Sequence, residues 1–118
     1  MLAKTARISN SADFAKATKS GLRSTTNTLV GYLHLSNSSE AARCGLIINK
    51  NVGNSVVRHN VARKIRHIIA ANLTSLPAGS LLVVRALPAS NTADLKSETT
   101  ELISKLVKKS EPKNTVKS

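Results

Sequence analysis

Only two aromatic side chains, Phe14 and Tyr32, occur among 118 residues, and Trp is absent. Even so, 41% of the residues are hydrophobic, enough to bury a core and too many for a disordered basic chain. The core must therefore be aliphatic, and each ring calls for a reason of its own. A chain of this length makes one domain. No apolar run approaches the roughly 20 residues of a membrane-spanning helix. The opening residues, Met1-Leu2-Ala3-Lys4-Thr5-Ala6-Arg7, lack the apolar stretch of a secretory signal. Cys44 is the lone cysteine, which excludes an intrachain disulfide and a cysteine-based zinc site. These features point to a cytoplasmic domain with no membrane partner.

Periodicity places the elements. Residues 11–20 read as a first helix, with Ser9, Asn10 and Ser11 as candidate N-caps and Gly21 as a left-handed residue after its end. Residues 23–27 are polar and read as a loop. Alternation over 28–35 gives a strand with Leu29, Gly31, Leu33 and Leu35 on one face and Val30, Tyr32 and His34 on the other. A polar turn over 36–40 leads to a second strand, 43–50, whose Leu46-Ile47-Ile48 run predicts burial on both faces. A third strand begins at 81–84 and is stopped by Pro88. Asn54 or Ser55 caps a helix running to about residue 73. Asn91 is the expected cap of a last helix, with Asp94 placed as the acid of a capping box and Leu95, Leu102, Ile103 and Leu106 as the apolar stripe. The order α-β-β-α-β-α, with a short extra strand possible, predicts an α/β (α+β) two-layer sandwich of helices on a small mixed sheet. Residues 1–109 form the single domain, and 110–118 read as a disordered basic tail.

The charge is unevenly placed. Eighteen Lys and Arg stand against six Asp and Glu, a formal net charge of +12. Between Ala41 and Ala93 there is no acid, yet Arg43, Lys50, Arg58, Arg63, Lys64, Arg66 and Arg85 all fall there. Such a segment cannot neutralise itself locally, and its field attracts a polyanion. A membrane surface fits less well, because the exposed Trp and Phe of an interfacial helix are missing.

The helix beginning near Asn54 concentrates this charge. At 100° per residue Val57, Val61, Ile65, Ile68 and Ile69 share one arc, whereas His59, Asn60, Arg63, Lys64, Arg66 and His67 share the other. Arg58 lies near the apolar side and must reach past the helix end. Gly53 permits a tight turn, and the first-turn N–H groups add an anion site. Arg forks suit phosphates and base edges, and Asn pairs with donors and acceptors alike. This face fits folded RNA, read by phosphate, 2′-hydroxyl and shape, and also a DNA major groove, although no helix-turn-helix pair surrounds it.

The stretch Gly53-Asn54-Ser55-Val56-Val57-Arg58-His59-Asn60-Val61-Ala62-Arg63-Lys64-Ile65-Arg66 follows Gly45-Leu46-Ile47-Ile48-Asn49-Lys50. Together they resemble the signature of the protein subunit of bacterial ribonuclease P, a Gly-Leu-x-x-x-Lys strand followed by a basic helix. Asp13-Phe14 with Lys19-x-Gly21 is similar to the family's first helix, Tyr32 falls on its first strand, and Leu82-Val83-Val84-Arg85-Ala86-Leu87-Pro88 resembles its last core strand. Order and spacing agree over about 100 residues. Two positions depart: Asn60 stands where the family usually has an Arg, and Thr18 where many members have a second Phe.

The resemblance implies a left-handed β-α-β crossover, which pattern rules alone would not give. It also implies a division of labour. An RNA subunit, with its Mg²⁺ ions, cleaves precursor tRNA to release the 5′ leader, and the protein assists without catalysing. Lys50, Asn54, Arg58, His59, Arg63 and Arg66 map onto the motif that faces the RNA subunit, with Asn60, Lys64 and His67 beside them. Phe14 and Tyr32 map onto the leader-binding cleft, where a base can stack on a ring, and Arg7 and Lys16 would neutralise leader phosphates. No metal site on the protein is expected. A ribosomal or other structural RNA-binding protein shares the size and charge and is the alternative reading. A stand-alone nuclease would need paired carboxylates or an acid–base pair, and the six acids fall far from the basic helix.

Overall fold

The alternating segment around Tyr32 becomes an interior strand of a four-stranded mixed sheet, described in a computed structural model that covers residues 8, 11–35, 42–72, 76, 78–92 and 94–110. The elements run α1 (Ser11–Ser20), β1 (Leu22–Thr25), β2 (Leu29–Leu35), β3 (Arg43–Ile48), α2 (Ser55–Asn72), β4 (Ser80–Ala86) and α3 (Leu95–Ser110), with 3-10 turns at Lys50–Val52 and Pro88–Thr92. The strand order is β1-β2-β4-β3. β1–β2 and β2–β4 are antiparallel, and β3–β4 is parallel. Parallel neighbours cannot be joined by a hairpin, so α2 carries the chain from β3 to β4.

The aliphatic core divides between the two faces of the sheet. On one face Leu29, Leu33, Cys44, Leu82, Val84 and Ala86 pack under Val61, Ile65 and Ile69 of α2 and Leu95, Leu102, Ile103 and Leu106 of α3. Every residue of the α3 stripe expected from the sequence is buried. On the other face Leu81 and Val83 join Ala17 and Ile8, with Phe14, Tyr32 and Ile47 packed partly buried around them. The mixed α+β layering is as expected, with α2 and α3 forming the main helical layer and α1 a smaller cover on the opposite face.

Several boundaries differ from the expected ones, each for a local reason. Residues 22–25 form strand β1 rather than loop, because their backbone pairs with β2 from Leu22–Leu33 to Thr25–Val30. Gly21 does not take a left-handed conformation. The position after α1 nevertheless requires glycine, because a Cβ there would collide with Ala17 O and lie 2.9 Å from the carbonyl of Leu33. β3 stops at Ile48, and its Leu46, Ile47 and Ile48 are half-buried rather than enclosed, since β3 is a sheet edge. β4 is longer than expected, Ser80–Ala86. α3 starts at Leu95 with Asp94 as the cap: Asp94 Oδ1 accepts the Ser97 N–H at 3.3 Å, while Asn91 belongs to the preceding 3-10 turn. The same helix continues through Lys108 and Lys109 to Ser110, the first residue of the segment expected to be a disordered tail. The polar turn over 36–40 and the tail beyond Ser110 lie outside the described residues. No helix is long and apolar enough to cross a membrane among the described residues.

Candidate nucleic-acid interface

The entry to α2 is built by three residues. Val52, buried at the end of the 3-10 turn, anchors the chain before the helix. Gly53 follows at φ 158°, and a Cβ there would lie 2.7 Å from Val57 Cγ1, so no other residue fits without displacing the first turn. Asn54 then caps the helix, its Oδ1 accepting the Val57 N–H at 3.0 Å and its carbonyl the Arg58 N–H at 2.9 Å. Arg58 reaches back past the helix end, as its position on the wheel requires, and its Nε donates to Gly53 O at 3.2 Å. Lys50 is exposed at the start of the turn.

Val61, Ala62, Ile65 and Ile69 hold α2 onto the sheet and α3. That leaves His59, Asn60, Arg63, Lys64 and His67 exposed and Arg66 half-buried. Among the described residues the ion pairs are Arg43–Asp13 at 3.3 Å and Lys105–Glu101 at 3.0 Å, and neither involves α2. Its cations therefore keep their field for an external anion.

The helix does not present these groups as one sheet of charge. Arg58, His59 and Arg66 turn toward β3, where with Ser55, Ala62 and the half-buried Leu46 and Ile48 they line a recess of about 310 Å³. Arg63, Lys64 and His67 turn the other way, into a groove of about 670 Å³ shared with Asp94, Leu95, Lys96 and Thr100 of the α3 end. Asn60 lines neither. The sequence had not revealed the apolar wall from β3 or the contribution of α3, because both depend on tertiary packing.

On the opposite face of the sheet, Phe14 of α1 lies directly over Gly45 of β3. A Cβ at Gly45 would collide with the ring, with Phe14 Cε1 at 2.6 Å, so the missing side chain is what allows the aromatic to settle there. The Asp13–Arg43 pair ties the same turn of α1 to the same strand. Strand register then places Arg23, Tyr32, Val83 and Gly45 in one row across the sheet. Phe14 and Tyr32 are both half-buried, each with part of its ring in the core cluster and part open. Lys16 is exposed on α1. Arg7 lies outside the described residues. Thr18 turns inward on its own helix, donating its hydroxyl to Phe14 O at 3.0 Å. Two further exposed cations lie on this face of the sheet: Arg23, opposite Tyr32, and Arg85, two residues beyond Val83.

A family model described as Ribonuclease P matches residues 2–111. The ribonuclease P protein component of Pseudarthrobacter chlorophenolicus is 43% identical over 93 residues, covering 79% of this chain and 68% of that one. That of Acidothermus cellulolyticus is 36% identical over 110 residues, covering 90% and 92%. The fold is similar to the RNase P protein of Staphylococcus aureus, with a TM-score of 0.75 over 92% of this chain and 97% of that one at 21% identity. Since the family match spans the basic helix, both rings and every strand of the sheet, this chain belongs to the ribonuclease P protein family.

Proposed function

We propose that this chain is the protein subunit of a ribonuclease P ribonucleoprotein, which removes the 5′ leader of precursor tRNA in the cytoplasm. The observation that carries the reading is the cationic surface of α2, which has no ion-pair partner among the described residues in a chain of this family. In this reading Lys50, Asn54, Arg58, His59, Asn60, Arg63, Lys64, Arg66 and His67 contact the RNA subunit. The leader crosses the cleft between α1 and the sheet, stacking on Phe14 and Tyr32 while Lys16, Arg23 and Arg85 meet its phosphates.

The chemistry of cleavage is assigned to the RNA subunit and its Mg²⁺. The carboxylates described here do not fit a metal site, because each is engaged elsewhere: Asp13 with Arg43, Asp94 with the α3 N-terminus, Glu98 with Thr26 and Thr28, and Glu101 with Lys105. The protein's own contribution is to hold two RNAs in one frame.

The test is cleavage of a precursor tRNA at low Mg²⁺ by the protein, by the RNA subunit and by their mixture. Cutting at the mature 5′ end in the mixture and in neither component alone is the expected result. Activity of the protein alone would overturn the assignment. A ribosomal or other structural RNA-binding role predicts no gain on mixing, and no rise in affinity as the 5′ leader lengthens.

A further inference from the structure

The larger of the two grooves along α2 has a chemistry that a phosphate contact alone does not use. Arg63, Lys64 and His67 form one wall and Lys96 and Thr100 of α3 the other, all exposed. Ile68, Ala71 and Leu95 supply apolar surface between them. The volume of about 670 Å³ falls within the range of roughly 300–1,000 Å³ found for pockets that seat small organic ligands. Asp94, the one acid lining the groove among the described residues, already accepts the Ser97 N–H through Oδ1. Positive walls around an apolar floor complement a nucleotide whose base is unpaired, since the base needs apolar cover and its flanking phosphates need cations.

We propose that this α2–α3 groove seats an unpaired nucleotide of the RNA subunit, its base against Ile68, Ala71 and Leu95 and its flanking phosphates on Arg63, Lys64 and Lys96. The proposal rests on the RNA-subunit reading of α2 and extends it to α3. Thr100 offers a hydroxyl that can donate or accept toward the ribose or base edge. The recess on the β3 side of α2 is less suited to a base, being less than half the volume.

Two substitutions at exposed positions separate the floor from the rim. Lys96→Ala is expected to weaken binding to the isolated RNA subunit roughly threefold to tenfold and to lower the salt slope by about 0.7–0.9, as loss of one phosphate contact does. Ala71→Trp fills the floor without changing charge, and is expected to weaken binding while leaving the slope unaltered. Lys96→Cys carrying a photoactivatable aryl azide should crosslink to the RNA subunit in the complex, whereas the same label on Ser104→Cys, farther along α3, should not. Native Cys44 is buried and stays unlabelled in the folded chain. Wild-type binding by Lys96→Ala and Ala71→Trp, with no crosslink from position 96, would overturn the groove assignment. If Arg66→Ala still weakened binding in that case, the RNA-subunit reading would stand without the groove. If Arg66→Ala were silent too, that reading would fall with it. Thermal midpoints of the variants check that each remains folded, and the crosslink decides the matter if Ala71→Trp does not.

Discussion

Glu98 joins α3 to the turn that leads into β2. Its Oε1 accepts from the Thr26 hydroxyl at 2.6 Å, the Thr28 hydroxyl at 2.7 Å and the Thr28 N–H at 3.0 Å. The Thr26 hydroxyl, then that of Thr28, holds the carboxyl below its usual pKa, with the Thr28 N–H and Lys105 adding to the effect and burial opposing it. A folded pKa below the unfolded one means that the stabilisation is fully present above the unfolded value, about 4.3, and is lost as pH falls through the folded value. Glu98→Gln is therefore expected to cost about 1–3 kcal/mol at neutral pH and to flatten the acid limb of the stability curve, measured by urea unfolding at stepped pH. An acid limb identical to wild type would show that Glu98 does not carry it. Gly45 acts by an equally local mechanism, through the space it leaves for Phe14. Gly45→Val and Phe14→Ala should each weaken binding of a leader-bearing precursor by roughly 1–3 kcal/mol, the weight of one stacked base. Mature tRNA should bind unchanged, and an equal loss on mature tRNA would remove the ring from the leader path.

α2 was the most legible element because its signal is long and local: buried Val61, Ile65 and Ile69 repeat at helical spacing, with cations between them. Its function can be tested at the same level. Arg66→Ala should lower the salt slope of RNA-subunit binding by about 1, and an unchanged slope would take Arg66 out of the interface. β1 was not legible, since Leu-Arg-Ser-Thr shows no apolar alternation and owes its conformation to hydrogen bonds with β2. The over-burial expected of β3 has a related origin. An apolar run shows that a strand touches a core on both faces, but not whether a neighbour covers both edges, and β3 has β4 on one side. Along the candidate site the same division holds. The α2 residues could be grouped from one helical wheel. The face of the sheet under α1 gathers residues of β1, β2, β3 and β4, and Arg23 and Arg85 share it with Phe14 and Tyr32 only through a register that no single segment encodes. The split of the α2 cations into two grooves was equally hidden, because it depends on where β3 and α3 pack against the helix.

The two RNA contacts proposed for this chain rest on different cores. The cluster under α1 contains Ile8, Ala17, Leu81 and Val83, and the cluster under α2 and α3 shares none of these residues. The sheet separates them, and β3 is the strand that serves both: Gly45 faces Phe14, while Leu46 and Ile48 border the recess beside Arg58 and Arg66. Changes in unconnected clusters add, whereas changes that share a moving part couple. A protein that holds the leader and the RNA subunit in one fixed frame should behave as the first kind. In holoenzyme assembled at saturating protein, Arg66→Ala should leave precursor affinity at the wild-type value, and Phe14→Ala should leave RNA-subunit affinity unchanged. In the double variant each affinity should match that of the corresponding single variant to within about 0.5 kcal/mol. A coupling well above that would mean that β3, paired along one edge by β4, shifts under one partner and carries the displacement to the other. The protein would then act as a transmitter between its RNAs, and Gly45→Val, placed on that strand, would alter both affinities at once.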